Sequence, residues 1–263
     1  MPGELVAALA AETLKARRSV VPWVTVAAFT LAGAVGAFFT FVLQDPARAR
    51  ALGLLGTKAE LSGGTADWTG HLAFTAQITS IGGLLLFGMV MVWLFGREFS
   101  DRTVKDLLAL PTSRTAVVTA KLLLAALWCM GLSMLVVLLA LVSGVLLDLP
   151  GWSTAVGLEG AGTVLACALL TFALATGYGL VASVGRGYLP AVGAIFLTLV
   201  LSQVIGAIGF GAWFPWSVPA LLSGAAGPEQ ASVPVGSLLA VVTVGLLACV
   251  ATARWWETAD HPR

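Results

Sequence analysis

Long stretches of the chain carry no charge, and short charged clusters separate them. The uncharged stretches are 20–43, 73–95, 122–147, 160–185, 187–228 and 230–253. Each reaches the roughly 20 residues that cross a bilayer core as helix. The fifth is too long for one crossing, so its helix is expected at 189–211 and the remainder reads as a loop. The pattern predicts six spans, at about 20–43, 73–95, 117–147, 160–184, 189–211 and 235–253. The apolar runs are continuous, without the period-two alternation of a barrel, so the spans are helices. The expected fold is all-α: a polytopic membrane bundle of six transmembrane helices forming one domain, 20–253. It is flanked by a cytoplasmic amphipathic helix at 1–19 and a cytoplasmic tail at 254–263.

Composition agrees. Of the 263 residues, 59% are apolar and 10% charged, against roughly 25% charged in an ordinary soluble domain. Mean hydropathy is +0.97. A soluble fold of this size cannot hide so much apolar surface. The same composition excludes disorder, and a count of 3 Cys excludes a disulfide scaffold. A net charge of +1 argues against a nucleic-acid partner. Cys129, Cys167 and Cys249 fall inside spans without metal-ligand spacing and read as small apolar packers.

Tryptophan marks the span ends. Trp23, Trp68, Trp93, Trp152, Trp213, Trp216, Trp255 and Trp256 are expected near the interfaces, with Trp128 inside a span. Lys and Arg set orientation. The N-terminus, the loops after the second and fourth spans and the C-terminus hold 11 of them (Lys15, Arg17, Arg18, Arg97, Arg102, Lys105, Arg114, Lys121, Arg186, Arg254, Arg263). The other side holds 3, Arg48, Arg50 and Lys58. This bias places both termini in the cytoplasm. The first span is too long for a cleaved signal, so Arg17 and Arg18 read as its anchoring flank.

Catalytic patterns are missing. The sequence has no phosphate-loop motif and no H-E-x-x-H, and His71 and His261 are expected at or beyond span ends. The uncharged stretches put no Asp, Glu, Lys or Arg at depth, which weakens a proton-coupled carrier. Gly177 to Ala182 spells a dinucleotide pattern but lies within a span rather than after a strand. Ala175, Gly179, Ser183 and Gly187 recur every four residues and are expected to form a smooth helix-packing face.

The loop at 96–116 is the most patterned polar segment. Ser100 is expected to cap a short helix that Pro111 ends. Val104, Leu107 and Leu108 share one face of it. Glu98–Arg102, Asp101–Lys105 and Arg102–Asp106 are opposite charges at i,i+4. Such a helix lies on a membrane surface or in a partner's groove.

The run Glu98, Thr103, Leu107-Leu108, Pro111, Arg114 and Lys121 resembles the first cytoplasmic loop of type-2 ABC exporter permeases. The stretch from Glu12 to Arg18 is similar to that family's amphipathic N-terminal helix. The resemblance implies a permease subunit of an ATP-driven exporter, not itself an enzyme, in the bacterial plasma membrane. It implies two copies of an ABC ATPase subunit as partners and a second permease chain, identical or a close paralogue, among membrane lipids. No cofactor is expected on this chain; ATP and magnesium belong to the ATPase. The resemblance makes the segment from Thr103 a coupling helix. Glu98, Asp101, Arg102, Thr103, Lys105, Leu107, Leu108, Pro111 and Arg114 are then the ATPase-coupling residues. Glu98 would anchor the coupling helix at the membrane edge, and Arg114 or Lys121 would bond phosphates or helix ends. The cargo expected from uncharged span faces is hydrophobic or amphipathic: a drug, a peptide antibiotic or a lipid. Gln77 and Gln203 are candidate polar groups in its path. The outer segment 212–234 is apolar enough to dip into the membrane. The alternative is a stand-alone secondary carrier or channel without an ATPase; no inverted repeat supports it.

Overall fold

The computed structural model describes residues 2–45, 65–108, 112–225 and 233–259. Arg48, Arg50, Lys58, Pro111, His261, Arg263 and the side chains of Leu107 and Leu108 lie outside the described residues. Every regular element among them is helical: α1 (Pro2–Arg17), α2 (Val21–Gln44), α3 (Trp68–Ser100), α4 (Val104–Leu108), α5 (Arg114–Leu146), α6 (Thr154–Val184), α7 (Tyr188–Ala207), α8 (Val218–Leu222) and α9 (Val235–Thr258), with 3-10 turns at Gly211–Trp213 and Pro215–Ser217. Six of them, α2, α3, α5, α6, α7 and α9, are long and apolar enough to cross a membrane.

Polar side chains set the ends. The Ser19 hydroxyl accepts from the Val21 N–H at 3.1 Å, and Pro22 follows in the first turn of α2. Asp67 caps α3 by accepting from the Gly70 N–H at 2.8 Å, and Ser153 caps α6 by accepting from the Val156 N–H at 3.1 Å. These bonds satisfy donors that a helix start leaves unpaired.

The spans overrun the uncharged stretches. α3 starts five residues earlier than position 73 and continues to Ser100, and α9 continues past 253 to Thr258. A helix stops where its backbone is capped, not where charge begins. α7 ends at Ala207, short of 211, where the backbone turns through Gly209 (φ 85°) into the 3-10 segment.

α3 and α6 form the centre. Of their most apolar stretches, 61% and 50% are buried, against 22% for α2, 17% for α7 and 22% for α9. Ala175, Gly179 and Ser183 are all buried on α6. A Cβ on Gly179 would stand 2.9 Å from both Met91 and Phe95 of α3, so the two helices approach at a hydrogen atom. Gly187 does not share this face, because α6 ends at Val184 and Gly187 precedes α7.

Tryptophan divides between two roles. Trp23, Trp152 and Trp213 are exposed, whereas Trp68 and Trp256 are buried. Trp68 packs against Trp152 with ring centroids 4.4 Å apart. Trp256 stacks edge-on with Phe95 and Phe99 and donates its Nε1–H to the Ser183 hydroxyl at 3.0 Å. A ring placed at the interface by sequence packs inward when its helix face does.

His71 lies in the first turn of α3, at the span end as expected, and its side chain is buried. Its Nδ1 is 2.8 Å from the Thr40 hydroxyl and its Nε2 3.0 Å from the Ser143 hydroxyl, linking α2, α3 and α5.

Candidate functional site

The end of the bundle that holds α1 and α4 contains a cluster of four charges, three of them buried and Lys15 half-buried. Glu12 and Lys15 come from α1, Glu98 from the last turn of α3, and Lys121 from the second turn of α5. Glu12 and Glu98 are each 2% exposed, and Lys121 is 0% exposed. Lys121 donates to Glu12 Oε2 at 2.9 Å, to Glu98 Oε1 at 3.0 Å and to the Leu94 carbonyl at 2.8 Å. An ammonium has three donors, and all three are used. Lys15 donates to Glu12 Oε1 at 2.7 Å and to Glu98 Oε1 at 2.8 Å. Two carboxylates and two ammoniums make the cluster neutral, which is what permits its burial. Burial works to lower the Lys15 pKa, but Glu12 and Glu98 outweigh it and raise the value above the ordinary 10.5.

Glu98 also holds the start of the loop that carries α4. Its Oε2 accepts from the Thr103 hydroxyl at 2.7 Å, and its backbone carbonyl accepts from the Thr103 N–H at 2.9 Å. The loop's far end is tied to α1 as well. Glu4 Oε2 accepts from the Ser113 hydroxyl at 2.8 Å and from the Ser113 N–H at 3.3 Å. Thus α1 grips one end of the loop through Glu12 and Lys15, by way of Glu98, and the other through Glu4. Arg114 reaches the carbonyl end of α9, donating to Trp256 O at 3.1 Å and Glu257 O at 3.2 Å. Those carbonyls have no partner within the helix, and the cation offsets the negative end of its dipole.

The loop itself departs from the simple helix its sequence predicts. Ser100 is the last residue of α3 rather than the cap of α4. Arg102 takes a left-handed conformation (φ 60°) that breaks the helix between the two. The three expected i,i+4 pairs do not form among the described residues: Glu98 is held by lysines, and Arg97 instead lies 3.7 Å from Asp101. Asp101, Arg102, Thr103, Lys105 and Asp106 are exposed, and Val104 is half-buried against the core.

Residues 8–205 match the family described as ABC-2 family transporter protein. The chain belongs to the ABC-2 transporter family. It is also 30% identical over 182 residues to the bacitracin transport permease protein BCRB of Bacillus licheniformis, covering 68% of this chain and 85% of that one. The ABC-2 permease is a transport subunit, not itself catalytic, and its family implies an ATPase partner.

The permease has a second polar region at the other end of the bundle. The segment after α7 folds back among the spans. The Ser80 hydroxyl donates to the Pro219 carbonyl at 2.9 Å, and the Ser217 hydroxyl donates to the Ser202 carbonyl at 2.9 Å. Ser80 lies 12 residues into α3, which is about 18 Å along the helix at its usual rise. Beside this segment is a cavity of about 440 Å³ lined by Gln77, Ser202, Gln203 and Ser217, among others.

Glu98 and Lys121 belong to the loop motif and Glu12 to the N-terminal stretch singled out by sequence, but nothing in the sequence signals their mutual contact. Lys121 is a lone charge at the edge of a long apolar run, and Glu12 sits in a helix of mixed composition.

Proposed function

We propose that this permease is the transmembrane half of an ATP-driven exporter of hydrophobic or amphipathic compounds. Two permease chains, identical or paralogous, associate with two ATPase chains that bind ATP and magnesium. Both termini face the cytoplasm, consistent with the distribution of Lys and Arg. α4 is the coupling helix that docks on the ATPase. Asp101, Arg102, Lys105, Leu107 and Leu108 form the docking surface, and Glu98, Thr103, Pro111 and Arg114 frame it.

The observation that carries this reading is the fastening of the loop at both ends. On this reading a displacement of α4 is passed through Glu98 and Ser113 into α1, α3 and α5. ATP drives the change only through a difference in affinity between two conformations of the assembly. A peptide antibiotic is the first cargo to test, because the similar Bacillus licheniformis permease is named for bacitracin transport. The cavity at Gln77 and Gln203 supports a cargo that offers hydrogen bonds as well as apolar surface.

The test is co-purification with the cognate ATPase chain, followed by ATPase and transport assays. The Arg102→Glu and Leu107→Asp double variant is expected to release the ATPase or uncouple its activity from transport. Elution of the wild-type permease alone, with no effect on any ATPase, would overturn the reading.

A further inference from the structure

A separate cavity of about 390 Å³ opens where the α1–α2 turn, the end of α3 and the start of α7 meet. Its lining is Lys15, Arg18, Ser19, Trp93, Arg97, Asp101 and Tyr188. Three cations face one carboxylate. Lys15 is matched by Glu12 and Glu98, so the surplus comes from Arg18 and Arg97 against Asp101.

Arg97 is incompletely satisfied. Its Nε is 3.7 Å from Asp101 and its guanidinium lies 4.9 Å from the Trp93 ring centroid, but Nη1 is buried without a hydrogen-bond partner. A buried, unpaired guanidinium nitrogen is costly, and a planar fork of donors is suited to phosphate oxygens. Arg18 is exposed and forms no ion pair among the described residues. α7 begins at Tyr188, so the positive end of a 20-residue helix dipole points at the same space. Val20 and Leu189 directly follow the lining residues Ser19 and Tyr188 in the chain and are 73% and 84% exposed, so apolar surface adjoins the cavity.

We infer that this cavity binds the phosphate of an anionic phospholipid. Arg97 and Arg18 hold the phosphate, and the acyl chains lie along the exposed starts of α2 and α7. Basic pockets between spans take lipid headgroups in this way. The occupant would also touch Lys15, so headgroup binding and the Glu98 cluster share one ammonium. The site is independent of whether the permease exports or imports, and of its cargo.

The experiment uses the full chain in a neutral detergent, titrated with tail-labelled phosphatidylglycerol and, separately, tail-labelled phosphatidylcholine. Phosphatidylglycerol is expected to bind more tightly. Arg18→Gln is expected to weaken it roughly fivefold, and Arg18→Gln with Arg97→Gln about thirtyfold, leaving phosphatidylcholine unchanged. Arg18 is exposed, so its single variant keeps the test valid if the double variant does not fold. Inorganic phosphate at constant ionic strength separates the sources. Failure to displace the lipid identifies the membrane headgroup as ligand; full displacement identifies a free phosphate anion at the same residues. Equal binding of the two lipids, or Arg18→Gln binding as wild type does, overturns the proposal.

Discussion

Glu98 and Lys121 are 23 residues apart in sequence and meet at 3.0 Å, with side chains only 2% and 0% exposed. One ends a span helix that runs toward the loop carrying α4, and the other lies near the start of the span helix that leaves it. Their contact closes the loop at its base. Removing one partner of such a pair leaves a charge buried without compensation, at a cost of about 3–5 kcal/mol. Lys121→Met should therefore lose about that much stability in denaturant unfolding of the detergent-purified chain. Adding Glu12→Gln restores neutrality and should recover part of the loss. A Lys121→Met variant within about 1 kcal/mol of wild type would show that the cluster is not a structural requirement.

The same cluster predicts a pH dependence. The folded Lys15 pKa is raised above 10.5 despite burial, which opposes the rise. A raised pKa means that the stabilisation is fully present below 10.5 and is lost as pH rises through the folded value. The wild-type Tm should fall on the alkaline side, above pH 10.5, more steeply than that of Lys15→Gln. Identical alkaline limbs for the two proteins would remove Lys15 from the account.

Close approach of α3 and α6 depends on Gly179. Gly179→Leu should cost about 1–3 kcal/mol by overpacking against Met91 and Phe95. Gly177→Ala is the control, because its added Cβ would stand 3.9 Å from Ala248, an ordinary contact. Thermal unfolding that ranks the two variants equally would refute the tight interface.

Orientation is open to direct measurement. In a background lacking Cys129, Cys167 and Cys249, a membrane-impermeant maleimide should label Trp152→Cys in intact cells. Arg18→Cys should react only after permeabilisation. Both parent positions are exposed, so access is set by the side of the membrane. Reversed labelling would invert the proposed topology.

The sequence made the six spans legible because lipid demands long apolar runs, and uncharged stretches mark them directly. It misplaced helix ends at Ser100 and Thr258, since charge clusters mark interfaces rather than backbone caps. Arg102 shows another limit. Its neighbours alternate in charge as a helix surface does, but its own backbone is left-handed, and no residue type there signals the break. Trp256 lies near the end of α9, where the sequence predicts it, but its burial depends on Phe95, Phe99 and Ser183 from other helices. The ion cluster was only half visible. The motif that runs from Glu98 to Lys121 names two of its members, but their contact with each other and with Glu12, 86 residues before Glu98, exists only in three dimensions.

α3 runs unbroken for 33 residues, about 50 Å at the usual rise per residue. Glu98 binds the loop carrying α4 at one end of this helix, and Ser80 binds the infolded segment at Pro219 farther along it. With the proposed coupling role, the helix becomes a connecting rod: tilting it at Glu98 is expected to strain the bond at Pro219, gearing the two polar regions through one continuous backbone.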